Sequence, residues 1–138
     1  LNEDVNFSEE MPTTKMLFNQ MKEVLDNKVD NIYCVESPLV SHKLKVAGRV
    51  DLIAEYDDEI SIIDFKTSDK TKKKEWIESY FLQASLYSYM FWEMTGIPVK
   101  KIMIGICVES ETKPQIFIES PVKYIEKAAG MVKNYHKN

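Results

Sequence analysis

The stretch from Gly48 to Lys66, G-R-V-D-L-I-A-E-Y-D-D-E-I-S-I-I-D-F-K, constrains this chain more than any other. It reads as a β-hairpin. Val50, Leu52 and Ala54 alternate with Asp51 and Ile53. Beyond the turn, Ile60, Ile62, Asp64 and Lys66 share one face, and Ile63 and Phe65 share the other. With Asp57 and Asp58 at the tip, Tyr56 pairs with Glu59, and counting back along the ladder places Asp51 opposite Asp64. Side chains so opposed have Cβ atoms roughly 4.5–5.5 Å apart. Two carboxylates at that separation repel each other unless something cationic lies between them. Lys66 shares the face of Asp64, as do Ile60 and Ile62, with Ile53 across the ladder, so the face is not simply a wet one. Asp51, Asp64 and Lys66 therefore form a candidate divalent-metal site with a cation beside it. The alternative is a solvated hairpin carrying a salt bridge.

A chain of 138 residues is long enough for one domain with a real core, and residues 1–138 are read as a single unit. Its net charge of −4 does not advertise nucleic acid. The basic residues are nevertheless uneven. Lys70, Lys72, Lys73 and Lys74 crowd one loop, His42, Lys43 and Lys45 precede Gly48, and the one arginine is Arg49. Screening confines electrostatics to about 8–10 Å, so a local patch on an acidic protein can still hold phosphate. Taken alone, a lysine run is an ordinary solvated loop. The two cysteines, Cys34 and Cys107, sit in apolar strand-like runs and read as buried free thiols in a reducing compartment. With two Cys and two His far apart, a structural zinc site is not expected. No apolar run approaches the ~20 residues of a membrane span, and the acidic first ten residues lack the apolar core of a signal peptide. An intracellular location is the expectation, with no membrane partner. The chain starts at Leu1, which suggests a fragment that lacks an upstream helix.

Residues 1–12 read as a polar, flexible lead-in. Thr13 or Thr14 can cap a helix to about Asn27, with Leu17, Met21, Val24 and Leu25 as its apolar stripe. Residues 31–40 read as a first strand, in which Glu36 is either a surface carboxylate or a further metal ligand. After a turn at Ser41–Lys43, a second strand starts near Leu44. Gly48 interrupts it, marking either a bulge or a close approach that leaves room for a ligand backbone. The third strand ends at Lys66, before a Lys-rich loop. A helix over about Glu75–Thr95, stopped by Gly96 and Pro98, is apolar nearly all round and hence buried. Gln83 and Tyr87, four apart, stack on one of its faces. They suit a phosphate or a water near the hairpin, or else Gln83 is solvated and Tyr87 is core. Two further strands, Lys100–Glu109 and Gln115–Glu119, follow. Pro121 then opens a last helix with Val122, Ile125, Ala128, Ala129, Val132 and Tyr135 as its buried stripe. The order predicts an α/β fold with a mixed sheet of about five strands flanked by helices.

The motifs G-x-x-D at Gly48–Asp51, D-x-K at Asp64–Lys66 and Q-x-x-x-Y at Gln83–Tyr87, in this order, resemble the PD-(D/E)xK nuclease superfamily. Within its RecB-like branch the chain is similar to the mitochondrial genome maintenance exonucleases and their phage and bacterial relatives. The similarity covers roughly residues 30–138. It implies a restriction-endonuclease-like core and a metal-dependent DNA nuclease, an exonuclease on single-stranded DNA ends, in replication, repair or recombination. It implies that Asp51, Asp64 and the backbone carbonyl of Phe65 bind Mg²⁺ or Mn²⁺, and that Lys66 orients the attacking water and offsets phosphate charge. Gln83 and Tyr87 would position the substrate strand or the catalytic Lys66, and Arg49, Lys70 and Lys72 would bind the strand. Such relatives carry a further acidic or histidine ligand on a helix before the first strand. Here that helix offers Glu23 and Asp26, with Glu36 or a residue upstream of Leu1 as the other sources. A catalytically silent nucleic-acid-binding module of a larger DNA-processing assembly is the alternative, and an Mg²⁺ enzyme acting on nucleotides is a third.

Overall fold

A computed structural model describes residues 12–137, with side chains from residue 19 onward. The lead-in to residue 11 and the side chain of Leu17 lie outside the described residues. Helix α1 (Pro12–Lys28) leads into strands β1 (Val29–Ser41), β2 (Val46–Tyr56) and β3 (Glu59–Ser68). Helix α2 (Glu78–Thr95) then crosses over to β4 (Lys101–Val108), followed by β5 (Gln115–Glu119) and α3 (Ile125–Lys137). The sheet order is β1-β2-β3-β4-β5, and only the β3–β4 pair is parallel. A parallel pair needs a long crossover, which α2 supplies. The fold is the mixed five-strand sheet flanked by helices that the sequence predicts.

Strand alternation divides the core into two layers. Ile53, Ile62, Ile102 and Ile104 pack with Phe81, Ala84, Tyr87 and Phe91 of α2. Leu52, Ala54, Ile63 and Met103 pack with Met21 and Leu25 of α1 on the opposite face. Gly105 lets α1 approach, since a Cβ there would lie 2.8 Å from Met21 Cε. Gln20 ties the same helix to the sheet. Its amide donates to the carbonyls of Val108 (2.7 Å) and Glu111 (2.9 Å) and accepts from Val108 N–H (3.2 Å).

The hairpin tip is the expected Asp57–Asp58 pair, with φ of +53° and +69°. Both central residues at positive φ match the right-handed twist of the strands. The ladder then runs from Tyr56↔Glu59 to Leu52↔Ile63 in the expected register.

The element ends differ from expectation in several places. β1 begins at Val29, β2 at Val46 and β3 continues to Ser68. The helix expected from Glu75 is broken. A 3₁₀ turn over Lys74–Trp76 precedes Ile77, whose φ of −116° interrupts the helix before α2 begins at Glu78. Ile77 is buried and anchors that break, whereas Trp76 is exposed. α2 is buried on two sides rather than all round, with Trp92 half exposed. Pro121 likewise opens a 3₁₀ turn, not α3 itself. Of the stripe assigned to α3, Ala128 is buried and Ile125, Ala129 and Val132 are half-buried, but Val122 and Tyr135 face solvent. Cys107 is buried as expected, and Cys34 is only half-buried because it lies on the edge strand β1.

Gly48 does not interrupt β2, and its open side does not admit a ligand backbone. It pairs with Leu39, and a Cβ there would lie 2.7 Å from Tyr87 Cε1. The glycine makes room for the Tyr87 ring. Gly48→Ala should therefore destabilise the fold by about 1–3 kcal/mol through overpacking. In a Tyr87→Leu background the same change should cost under ~0.5 kcal/mol, because the clash is gone. Urea denaturation of the four proteins measures both, and a Gly48→Ala protein as stable as the wild type would contradict the packing account.

Candidate active site

β2 changes face where Asp51 stands. Strict alternation would put Val50 and Leu52 on the same side, yet Val50 packs with α2 and Leu52 with α1. The edge strand shares the irregularity. Val35 pairs with Leu52 and Ser37 with Val50, so Glu36 lies across from Asp51, and Glu36 has φ +46°. One consequence is that the Asp51 carboxylate reaches along the sheet rather than standing on a face. Its Oδ2 accepts the Phe65 backbone N–H at 2.8 Å, two residues past the Leu52↔Ile63 rung that ends the β2–β3 ladder. In a strand the N–H and C=O of one residue point to the same neighbour, so the Phe65 carbonyl also turns toward β2.

Asp64 lies on the α2 side of β3 and is 4% exposed. Its Oδ2 is buried and accepts no aligned hydrogen bond, although Lys66 Nζ stands 3.1 Å away. Burial raises its pKa most, the adjoining Asp51 carboxyl adds to this, and Lys66 opposes it, leaving Asp64 at about 7. The carboxyl is thus held partly protonated at neutral pH for want of positive charge.

Lys66 is fixed from two directions. Its ammonium donates to Gln83 Oε1 at 3.2 Å and lies 4.8 Å from the centre of the Tyr80 ring. Tyr87 completes the same face of α2. Its pKa is raised by burial first, then by Asp64 and Asp51, against a lowering backbone contact from Arg49. Tyr80, Gln83 and Tyr87 follow an i, i+3, i+7 spacing, so one helical face covers the hairpin site. In the sequence Tyr80 is one of the aromatic residues that make this helix apolar nearly all round, with no separate role. Its spacing from Gln83 was the available signal for its part in the site.

The structure brings together Asp51, Asp64, Phe65, Lys66, Gln83 and Tyr87. It does not bring in the rest of the predicted set. Arg49 is exposed on β2 beside the Tyr87 contact. Lys70 and Lys72 are held by their backbones, through Ser68 and Gln115, and among the described residues no contact links their side chains to the carboxylates. Glu36 is exposed at the rung beside Asp51 but joins no metal-binding group. Of the helix acids, Asp26 pairs with Lys22 at 2.8 Å and Glu23 is exposed. Among the described residues no group of three His, Cys, Asp or Glu side chains converges.

A divalent cation nevertheless fits the residues present. The orphaned Asp64 oxygen, the Asp51 carboxylate and the Phe65 carbonyl are hard oxygen donors on one side of β3. Hard cations such as Mg²⁺ are commonly held by one or two carboxylates and keep several waters.

The chain matches the model of the PD-(D/E)XK nuclease superfamily over residues 8–134. It is 33% identical over 92 residues to an ATP-dependent helicase/nuclease subunit of Clostridium beijerinckii, covering 64% of this chain and 7% of that protein. It is 34% identical over 61 residues to the corresponding subunit of Clostridium botulinum, covering 44% of this chain and 5% of that one. The chain thus spans a small fraction of the length of these relatives. Among solved structures, a candidate exonuclease from Eubacterium rectale shares the fold. The TM-score is 0.54 at 15% identity, over 86% of this chain and 49% of that one.

The raised Asp64 pKa makes cation-free stability depend on pH. Folded Asp64 titrates at about 7 against an ordinary 3.8. Between these values the folded state keeps a proton that the unfolded state has released, so stability falls as pH rises, approaching ~1.4 kcal/mol per pH unit. Urea unfolding in EDTA between about pH 4.5 and 7.5 should show this slope as the difference between wild type and Asp64→Asn. Added Mg²⁺ should flatten it. Parallel pH profiles for the two proteins would contradict the assignment.

Proposed function

The chain belongs to the PD-(D/E)XK nuclease superfamily, and we propose that it is a metal-dependent DNA nuclease acting on single-stranded ends. The observation that carries this reading is the buried Asp64 oxygen beside Asp51, a carboxylate pair whose charge the single ammonium of Lys66 only partly offsets. In this reading Asp51, Asp64 and the Phe65 carbonyl hold Mg²⁺ or Mn²⁺. When bound, the cation polarises the scissile phosphate and lowers the pKa of a coordinated water.

The remaining roles belong to the chain's own side chains. Lys66 places its ammonium where charge develops on the phosphate oxygens. Gln83 and the Tyr80 ring restrict its rotamers, so the ammonium is positioned before substrate arrives. Tyr87 packs under β2 at Gly48 and keeps the strand carrying Asp51 at a fixed distance from α2. Arg49, Lys70 and Lys72 are exposed or half-exposed, and they attract the phosphates of a bound strand as solvated charges rather than as built contacts. The preference for single-stranded ends and the choice of Mg²⁺ or Mn²⁺ rest on the resemblance of the three motifs. A role in DNA replication, repair or recombination is supported by the similarity to helicase/nuclease subunits.

A second reading has an observation of its own. With no third acidic or histidine ligand beside the pair among the described residues, a module that binds nucleic acid without cutting it is also coherent. Digestion of a labelled single-stranded oligonucleotide in Mg²⁺ or Mn²⁺ separates the two. Cleavage by the wild type should stop in EDTA and fall at least ~10²-fold in each of Asp51→Asn, Asp64→Asn and Lys66→Ala. Retained binding with no cleavage in either metal would support the silent module.

A further inference from the structure

A groove of about 550 Å³ runs between α2, α3 and the start of β2. Its walls are Ala47 from β2, Leu82 and Leu86 from α2, and Met131, Val132 and Tyr135 from α3. Its size is that of a small-molecule site. Met131 and Tyr135 are 55% and 78% exposed, so a thioether and a flat aromatic ring stand open to water at the wall. His136 Nε2 lies 2.8 Å from the Lys45 carbonyl and holds the end of α3 against the chain leading into β2.

The groove adjoins the carboxylate site across Gln83. Gln83 lines it, and the same amide accepts a hydrogen bond from Lys66, whose Nζ is 3.1 Å from Asp64 Oδ2. Ala47 immediately precedes Gly48 and Arg49, the segment packed on Tyr87. One side chain therefore separates the apolar groove from the reacting centre. The charge also favours a polyanion. Lys45 lines the groove, and among the described residues no carboxylate does, although the protein carries a net charge of −4.

We propose that this groove receives an unstacked nucleobase of the strand whose phosphate lies at Asp51 and Asp64, an inference that rests on the nuclease reading above. A base has apolar faces that stack on aromatic and thioether surface, while its phosphates remain with Lys66, Arg49 and Lys45. Such stacking tolerates any base. A base paired in a duplex cannot enter, so the groove selects single strands by shape.

The test scans one abasic position through an oligo-dT strand and reads affinity by fluorescence anisotropy with Ca²⁺ present. Cleavage in Mn²⁺ is followed in parallel. One abasic position should weaken wild-type binding about tenfold. The Met131→Ser/Tyr135→Ala protein should bind intact oligo-dT about tenfold more weakly and lose nothing further at that position. Both side chains are exposed, and an unchanged melting temperature verifies the fold. A flat wild-type scan, or the same loss in the double variant, would overturn the groove assignment even where cleavage persists. Failure of the wild type to cleave intact oligo-dT would instead count against the nuclease reading, and the binding scan would still report on the groove.

Discussion

A carboxylate that is 4% exposed, touches a second carboxylate and has an oxygen without an aligned donor is not at rest by itself. The surrounding structure must hold it there. Asp64 is paired with Ile104 of β4 and stands on the face of β3 that α2 covers, so its carboxyl is buried between sheet and helix. Asp51 is turned inward by the change of face in β2 and tied to β3 through the Phe65 N–H. The protein therefore stores unfavourable electrostatics at one point, as functional sites commonly do. Lys66 relieves part of it and lies at the solvent edge, where an anionic ligand would meet it.

α2 has two duties that explain its composition. It is the crossover that makes β3 and β4 parallel, so its buried residues fill the space above the sheet. Ser85 and Ser88 occur among them and satisfy their hydroxyls on the carbonyls of Leu82 (2.7 Å) and Ser85 (2.6 Å). The same helix presents Tyr80, Gln83 and Tyr87 to the hairpin. The break at Ile77 frees the preceding Lys-rich turn from the helix and places Lys73 near the exposed Trp76 ring, 5.4 Å away. The far end of α2 is tied down as well. Glu93 accepts hydrogen bonds from Ser41, His42 and Lys43, which fixes the β1–β2 turn against it. The strand bearing Asp51 is thus held at both of its ends, by this turn and by the hairpin tip.

The site was legible in the sequence where short-range rules apply. A two-residue tip fixes the rungs from Tyr56↔Glu59 to Leu52↔Ile63, so counting brings Asp51 and Asp64 to the end of that ladder, and a side-chain period of two puts Lys66 on the face of Asp64; the change of face at Asp51 lies outside such counting. Gln83 and Tyr87 share a face because helical neighbours recur every three to four residues. The motif order pointed to the superfamily that the family match then established. Legibility ended where side chains from distant segments compete for space. Nothing near Gly48 reveals that Tyr87 fills its missing Cβ. Nothing in the Lys-rich loop shows that Lys70 and Lys72 stay apart from the pair, because charge attracts over distance without dictating where a backbone is anchored.

The sequence by itself determined the hairpin register up to Leu52↔Ile63 and the α/β class, because both follow from local periodicity and turn chemistry. Tertiary structure alone decided the burial that lifts Asp64 to about 7, the twist of β2 that turns Asp51 toward Phe65, and the groove between α2 and α3. These depend on contacts between residues 14 to about 90 positions apart. Solvent exclusion arises only when such segments close on one another, and no local pattern encodes it.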